Sequence, residues 1–167
     1  MRKMTEKALQ EAFAGESMAH MRYLMFQERA EKAGLADTAR LFKAISYAEQ
    51  VHATNHARHL GILRESGDNL ETCIQGETYE VEEMYPAFNA IAKLQGEKGA
   101  EQSTHYALEA EKIHARLYKE AKAGVAKGKD LDIREIYICP VCGYTHVGTP
   151  PGECPVCNVS SDKFRKF

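Results

Sequence analysis

The sequence has no run of apolar residues approaching the ~18 that a membrane-spanning helix needs. It also has almost no surplus of charge: 22 Lys+Arg face 24 Asp+Glu, for a net −2. That balance excludes a strongly basic nucleic-acid binder and a polyacidic tail. The N-terminal stretch MRKMTEKALQEAF lacks the apolar centre of a secretion signal and reads as an amphipathic helix, so the expected location is cytoplasmic. Proline is scarce, and only Pro86 of the five falls before residue 125. Cysteine is equally sparse there: Cys73 stands alone, while Cys139, Cys142, Cys154 and Cys157 crowd the C-terminal end. Two C-x-x-C pairs in a chain with no export signal point to a metal site before they point to disulfides.

What is present is enough for one ordinary domain with a small appendage: 167 residues, 44% apolar and 28% charged. From Ile138 onward Lys163, Arg165 and Lys166 outweigh Glu153 and Asp162, so the end of the chain is weakly basic and the rest weakly acidic. The first ~125 residues are rich in Ala, Glu, Lys, Leu and Met, punctuated by Gly34, Gly67, Gly96, Gly124 and Gly128, which predicts four helices of roughly 25–30 residues. Asp37 is a candidate N-cap, Asp68 with Glu71 a candidate capping box, and Pro86 is expected to kink or end the third helix. The segment GVAKGKDLDIRE reads as a linker. The expected division is a helical domain over 1–128, a linker over 129–135 and a metal-held module over 136–167, too small for a core of its own.

The helical stripes carry glutamates. Phe42, Ile45, Glu49, His52, His56, His59 and Leu63 share one helix face, as do Ile74, Glu77, Val81, Met84, Phe88 and Ile91. The first helix aligns Leu9, Phe13, Glu16, His20 and Tyr23, and the fourth aligns Leu108, Glu111, Ala115 and Tyr118, with His114 beside Glu111. Burying four carboxylates without partners would cost several kcal/mol each, so a cation is expected between them.

An internal repeat identifies the arrangement. AEQVHA (48–53) recurs as AEKIHA (110–115), and GES (15–17) as GET (76–78). Helices 1–2 and 3–4 are therefore two copies of one hairpin, each giving a lone Glu and then a Glu-x-x-His. A single Glu-x-x-His arises about once by chance in such a composition, but two at equivalent points of a repeat do not. Residues at i and i+3 share a face, so Glu16, Glu49, His52, Glu77, Glu111 and His114 form the ligand set of a carboxylate-bridged di-iron or di-manganese bundle. The repeat breaks once: Glu80 follows Glu77, where the first copy has Ala19. Glu80 is therefore an additional carboxylate within reach of one metal. Downstream, CPVCGY (139–144) and CPVCN (154–158) are two knuckles whose four thiolates make a tetrahedral site, and spacing does not choose between iron and zinc.

Taken together, AFAGESMAHMRY, AEQVHA, GETYEVEEMYP, AEKIHA and the paired CPVC knuckles resemble the rubrerythrin family over nearly the whole chain. The resemblance implies an all-α four-helix ferritin-like bundle with a small C-terminal rubredoxin-like module. It implies a di-iron centre with ligands Glu16, Glu49, Glu77, Glu80, Glu111 and His114, His52 replacing Glu80 on reduction, and Tyr23 and Tyr85 hydrogen-bonded to the ligands. It implies a third iron on the four cysteines, with zinc as a possible substitute. The implied activity is that of an oxidoreductase: a peroxidase that takes hydrogen peroxide to water in defence against oxidative stress. Electrons pass in through the thiolate iron from an NAD(P)H-linked reductase or a small redox protein. The alternative is a ferroxidase or iron-handling protein on the same bundle.

The connection between helices 2 and 3 is short. Helices 2 and 3 of a ferritin-like bundle run parallel, so the link must climb roughly 30 Å, which a handful of residues at about 3.5 Å each does not reach. The expectation is a homodimer that swaps helices 1–2 and 3–4 between subunits, with one subunit's thiolate iron facing the other's di-iron site. Cys73 reads as a small apolar or free thiol, and His20, His56, His59, His105 and His146 as surface or supporting groups.

Overall fold

The computed structural model describes all residues, Met1–Phe167. It consists of two compact units, Met1–Arg64 and Glu65–Phe167. No helix is long and apolar enough to cross a membrane.

The first unit is a hairpin of α1 (Lys3–Lys32) and α2 (Ala36–Leu60). Its seam is built from small side chains: Ala30, Ala39, Ser46, Ala53 and Ala57 are buried. Their seven-residue spacing in α2 (39, 46, 53) keeps them on one side, and their size lets the helices approach closely. Ser46 is buried to 1% exposure, and its hydroxyl donates to the His20 carbonyl at 3.0 Å. The His20 ring in turn lies 2.9 Å from the Ser46 carbonyl. His20 is thus a clamp between the helices, a specific role within the surface or supporting one expected of it. Tyr23, Phe26 and Phe42 cluster nearby, with centroids 5.5–6.4 Å apart.

The second unit begins with α3 (Ser66–Tyr79), passes through a π-helical turn (Glu80–Met84) and continues as α4 (Tyr85–Gln95), antiparallel to α5 (Lys98–Val125). Pro86 neither ends this rod nor kinks it in isolation. The helix takes up an extra residue just before it, with the Tyr85 N–H reaching the Glu80 carbonyl five residues back, and Pro86 then sits in the first turn of α4, where a missing N–H costs least. Asn89 ties α4 to α5 through the Glu101 carbonyl and Thr104.

Helix ends differ from expectation in detail. Residue 67 lies inside α3, and the break falls at Gly61, which closes α2 in the left-handed conformation (φ 71°). Leu35 and Glu65, not Asp37 and Asp68, precede the helices; the two aspartates occupy first turns, where they favour the positive helix end. Glu71 pairs with Lys122 at 2.5 Å in place of closing a capping box.

In the C-terminal module β1 (Ile136–Ile138), β2 (Thr145–Val147) and β3 (Arg165–Lys166) form a three-stranded antiparallel sheet in the order β2-β1-β3. Tyr137 pairs with His146 on one side and Lys166 on the other. Cys139, Cys142, Cys154 and Phe164 form its core, and Tyr106 of α5 packs against that core.

Candidate metal centres

Each hairpin gathers one half of the ligand set. In the first unit His52 Nδ1 lies 3.0 Å from Glu49 and 3.7 Å from Glu16. In the second, His114 Nδ1 lies 2.6 Å from Glu111 and 3.9 Å from Glu77. Helical i, i+3 spacing sets the shorter distance, and the neighbouring helix brings the lone glutamate to the longer one. In both triads the imidazole and carboxylate donor atoms lie within 4.8 Å of one another, the size of a metal site. The two halves belong to separate compact units of the chain.

The second triad fits a cation on its own electrostatics. Glu77 Oε2 is buried and has no hydrogen-bond partner, an arrangement that a carboxylate facing hydrocarbon and another carboxylate would not hold unaided. Burial, then the adjacent Glu111 carboxylate, push the Glu77 carboxyl up to about 7, against the pull of His114. Glu80 is raised by burial and by the Glu77 charge; it lies near the triad but outside its tight cluster. Glu80 is also the first residue of the π-helical turn, so the break in the sequence repeat is a break in helix geometry as well. The Tyr85 phenol is raised by burial and then by Glu80, Glu111 and Glu77, which sets it among those carboxylates. Tyr23 packs on Phe26 and Phe42 in the hairpin that carries Glu16. Half-buried Cys73 is a free thiol close to Tyr118, whose phenol is raised by burial and then by Cys73.

The four cysteines converge as the knuckles require. Sγ–Sγ distances are 3.5 Å for Cys139–Cys157 and 3.4 Å for Cys142–Cys154, close to the ~3.8 Å edge of a tetrahedron with ~2.3 Å metal–sulfur bonds. The residue after each second cysteine adopts the left-handed conformation, Gly143 at φ 78° and Asn158 at φ 60°. Each turns its N–H back to the first cysteine's carbonyl, at 3.0 and 2.9 Å. Glycine and asparagine are the residues that take this conformation most readily, so CPVCG and CPVCN are one turn written twice. Burial is the largest influence on the Cys154 thiol and raises it, but the backbone N–H groups of Cys157 and Val156, with the neighbouring thiols, outweigh it and leave the thiol lowered. Such N–H donors favour the thiolate that a metal needs.

The module sits against α5 of its own chain. A Cβ on Gly143 would lie 3.8 Å from the Ala110 side chain, and His114 Nε2 is 2.7 Å from Thr145 Oγ1 on β2. The thiolate site therefore adjoins the half-site of its own chain. Thr145 was not legible in the sequence, because nothing in the knuckle spacing tells which helix the module leans on.

Comparisons with known proteins agree with this layout. A family model described as "Rubrerythrin" matches residues 7–122, and one described as "Rubrerythrin, rubredoxin-like domain" matches 137–165. The chain is 44% identical to Rubrerythrin-2 of Clostridium acetobutylicum, covering 98% of this chain and 97% of that protein. It is 30% identical to nigerythrin of Nitratidesulfovibrio vulgaris, covering 98% and 86%. Among solved structures, the partially reduced state of nigerythrin matches with a TM-score of 0.57 at 30% identity, over 98% of this chain and 86% of that one.

Proposed function

Because the chain belongs to the rubrerythrin family, we propose that it is a peroxidase that reduces hydrogen peroxide to water at a carboxylate-bridged pair of irons, with electrons entering through a third iron on Cys139, Cys142, Cys154 and Cys157. The observation that carries this reading is the buried, unpartnered Glu77 oxygen inside a Glu-Glu-His triad that recurs in the first hairpin. Glu16, Glu49 and His52 from one hairpin and Glu77, Glu80, Glu111 and His114 from the other would hold the pair. Bound iron supplies the two electrons that, with two protons, convert one peroxide to two waters.

The residues of the chain divide the remaining work. Glu49 and Glu111 are the carboxylates placed one helical turn from an imidazole, suited to bridging. Glu80 and His52 are the alternating ligands. In the single chain His52 is 54% exposed, against 29% for His114. The Tyr85 phenol, raised by its surroundings, keeps its O–H as a donor among the carboxylates.

The assembly we infer is a homodimer in which α1–α2 of one chain meet α3–α5 of another. Only Gly61–Glu65 separate α2 from α3, a reach of about 20 Å. The 25 residues of α2 run about 37 Å. The apolar stripes of each hairpin are open to solvent in the single chain: Ile45, Phe88 and Ile91 are 41–51% exposed, a face in want of a partner.

The test is stoichiometric. Anaerobically reduced protein should consume one hydrogen peroxide per two electrons taken from an external reductase and keep its iron. Slow reaction with peroxide, coupled to fast oxidation and accumulation of added ferrous iron, would instead establish the ferroxidase reading.

A further inference from the structure

We infer that Thr145, a residue of the four-cysteine module, is a positioning residue for the carboxylate site: its hydroxyl fixes the His114 ring so that Nδ1 faces Glu77 and Glu111. The direction of the hydrogen bonds follows from the geometry. Thr145 Oγ1 lies 3.2 Å from the Gly143 carbonyl, which can only accept, so the hydroxyl proton is spent there. The oxygen lone pair is then left for His114 Nε2, at 2.7 Å, which must donate. With Nε2 held by Thr145, Nδ1 is turned to the carboxylates; in the chain without metal it donates to Glu111, which can only accept, at 2.6 Å, and a metal shared with those carboxylates would take this nitrogen in place of the hydrogen.

The pair lies in surroundings that strengthen it. Thr145 is 5% exposed, and it shares with His114 the wall of an apolar cavity of about 480 Å³ together with Leu70, Leu117, Ile136 and Phe167. The burial of Thr145 limits the access of water to its hydroxyl. Thr145 thereby holds the imidazole of the second copy of the repeat. It also makes the carboxylate site sensitive to whether the four-cysteine module is seated on α5.

This inference rests on the metal reading proposed above, and its test separates the two. Full-length protein carrying zinc in the four-cysteine module is compared as wild type, Thr145→Val and Thr145→Ser. Two quantities are read: solvent exchange of the His114 Nε2 hydrogen by ¹⁵N-labelled histidine NMR, and ferrous iron affinity titrated anaerobically. In the wild type the Nε2 hydrogen should exchange slowly. Thr145→Val should speed that exchange and weaken iron binding about 10- to 100-fold, the usual effect of losing an outer-shell partner. Thr145→Ser should restore both, which separates the hydroxyl from the packing. Unchanged exchange and affinity in Thr145→Val overturn the inference, as does a loss that Thr145→Ser fails to rescue. Exchange that follows the hydroxyl in a protein taking up no iron at the carboxylates supports the positioning role and overturns the metal reading instead.

Discussion

His52 and His114 occupy equivalent places in two different hairpins, each with Nδ1 directed at the glutamate three residues before it, at 3.0 and 2.6 Å, and farther from a glutamate of the neighbouring helix, at 3.7 and 3.9 Å. Neither triad alone offers the ligands for two ions. Joined, they supply four glutamates and two histidines, with Glu80 as an unmatched seventh group.

Removing Glu80 tests its place in that set. Glu80→Ala should keep the helices and most of the iron, because Glu77, Glu111 and His114 remain, while peroxide turnover falls at least tenfold. Steady-state peroxide consumption measured beside iron content decides it, and unchanged turnover removes Glu80 from the mechanism.

The raised Glu77 carboxyl sets a pH dependence for the metal-free chain. Between its ordinary 4.5 and about 7 the folded chain holds a proton that the unfolded chain has lost. Stability therefore falls as pH rises through that window and stays low above it. Melting temperatures of the chelated protein from pH 5 to 8 should decline, Glu77→Gln should flatten the slope, and iron should recover stability at the alkaline end. A melting temperature that climbs with pH across this window contradicts the burial argument.

The legibility of the sequence differs between its parts. Glu16, Glu49, His52, Glu77, Glu111 and His114 could be found because a repeat doubled a weak motif, and the structure gathers them into two triads. The cysteine quartet was legible for a similar reason, since CPVC occurs twice and its turn geometry is local. What escaped were contacts between elements far apart in sequence: Ser46 with His20, and Thr145 with His114. A buried serine and a strand threonine carry no pattern that names their partner. The π-helical turn was half legible. Pro86 signalled trouble in the third helix, but whether the chain would kink, stop or absorb an extra residue depends on backbone pairing that composition does not encode.

The small-residue seam of the first hairpin should be intolerant of bulk. Ser46→Leu forces a large side chain against His20 at a fully buried position and should cost about 1–3 kcal/mol, read as a lower denaturation midpoint. An unchanged midpoint would mean that the α1–α2 packing is looser than described.

A module as small as the four-cysteine one should need a metal to fold. Cys154→Ala replaces a fully buried ligand and should abolish the thiolate absorption and the strand signals while leaving most helical circular dichroism. Peroxide reduction driven by an external reductase should fall at least 100-fold. Retention of reductase-driven turnover would show that electrons bypass the thiolate site.

Swapping of hairpins predicts that the intact carboxylate site and the dimer are lost together. Sedimentation at low micromolar concentration should show a dimer, and conditions that dissociate it should release carboxylate-bound iron. A monomer that keeps a full di-iron site contradicts the swap.

The central claim, two coupled iron centres that reduce peroxide, is tested most directly by metal content per chain together with the visible spectrum of the reduced protein before and after hydrogen peroxide. Two coupled centres require about three irons per chain, and thiolate and oxo-bridged absorption that peroxide restores rapidly. Zinc on the cysteines, or a reduced protein whose spectrum peroxide leaves unchanged, would contradict it.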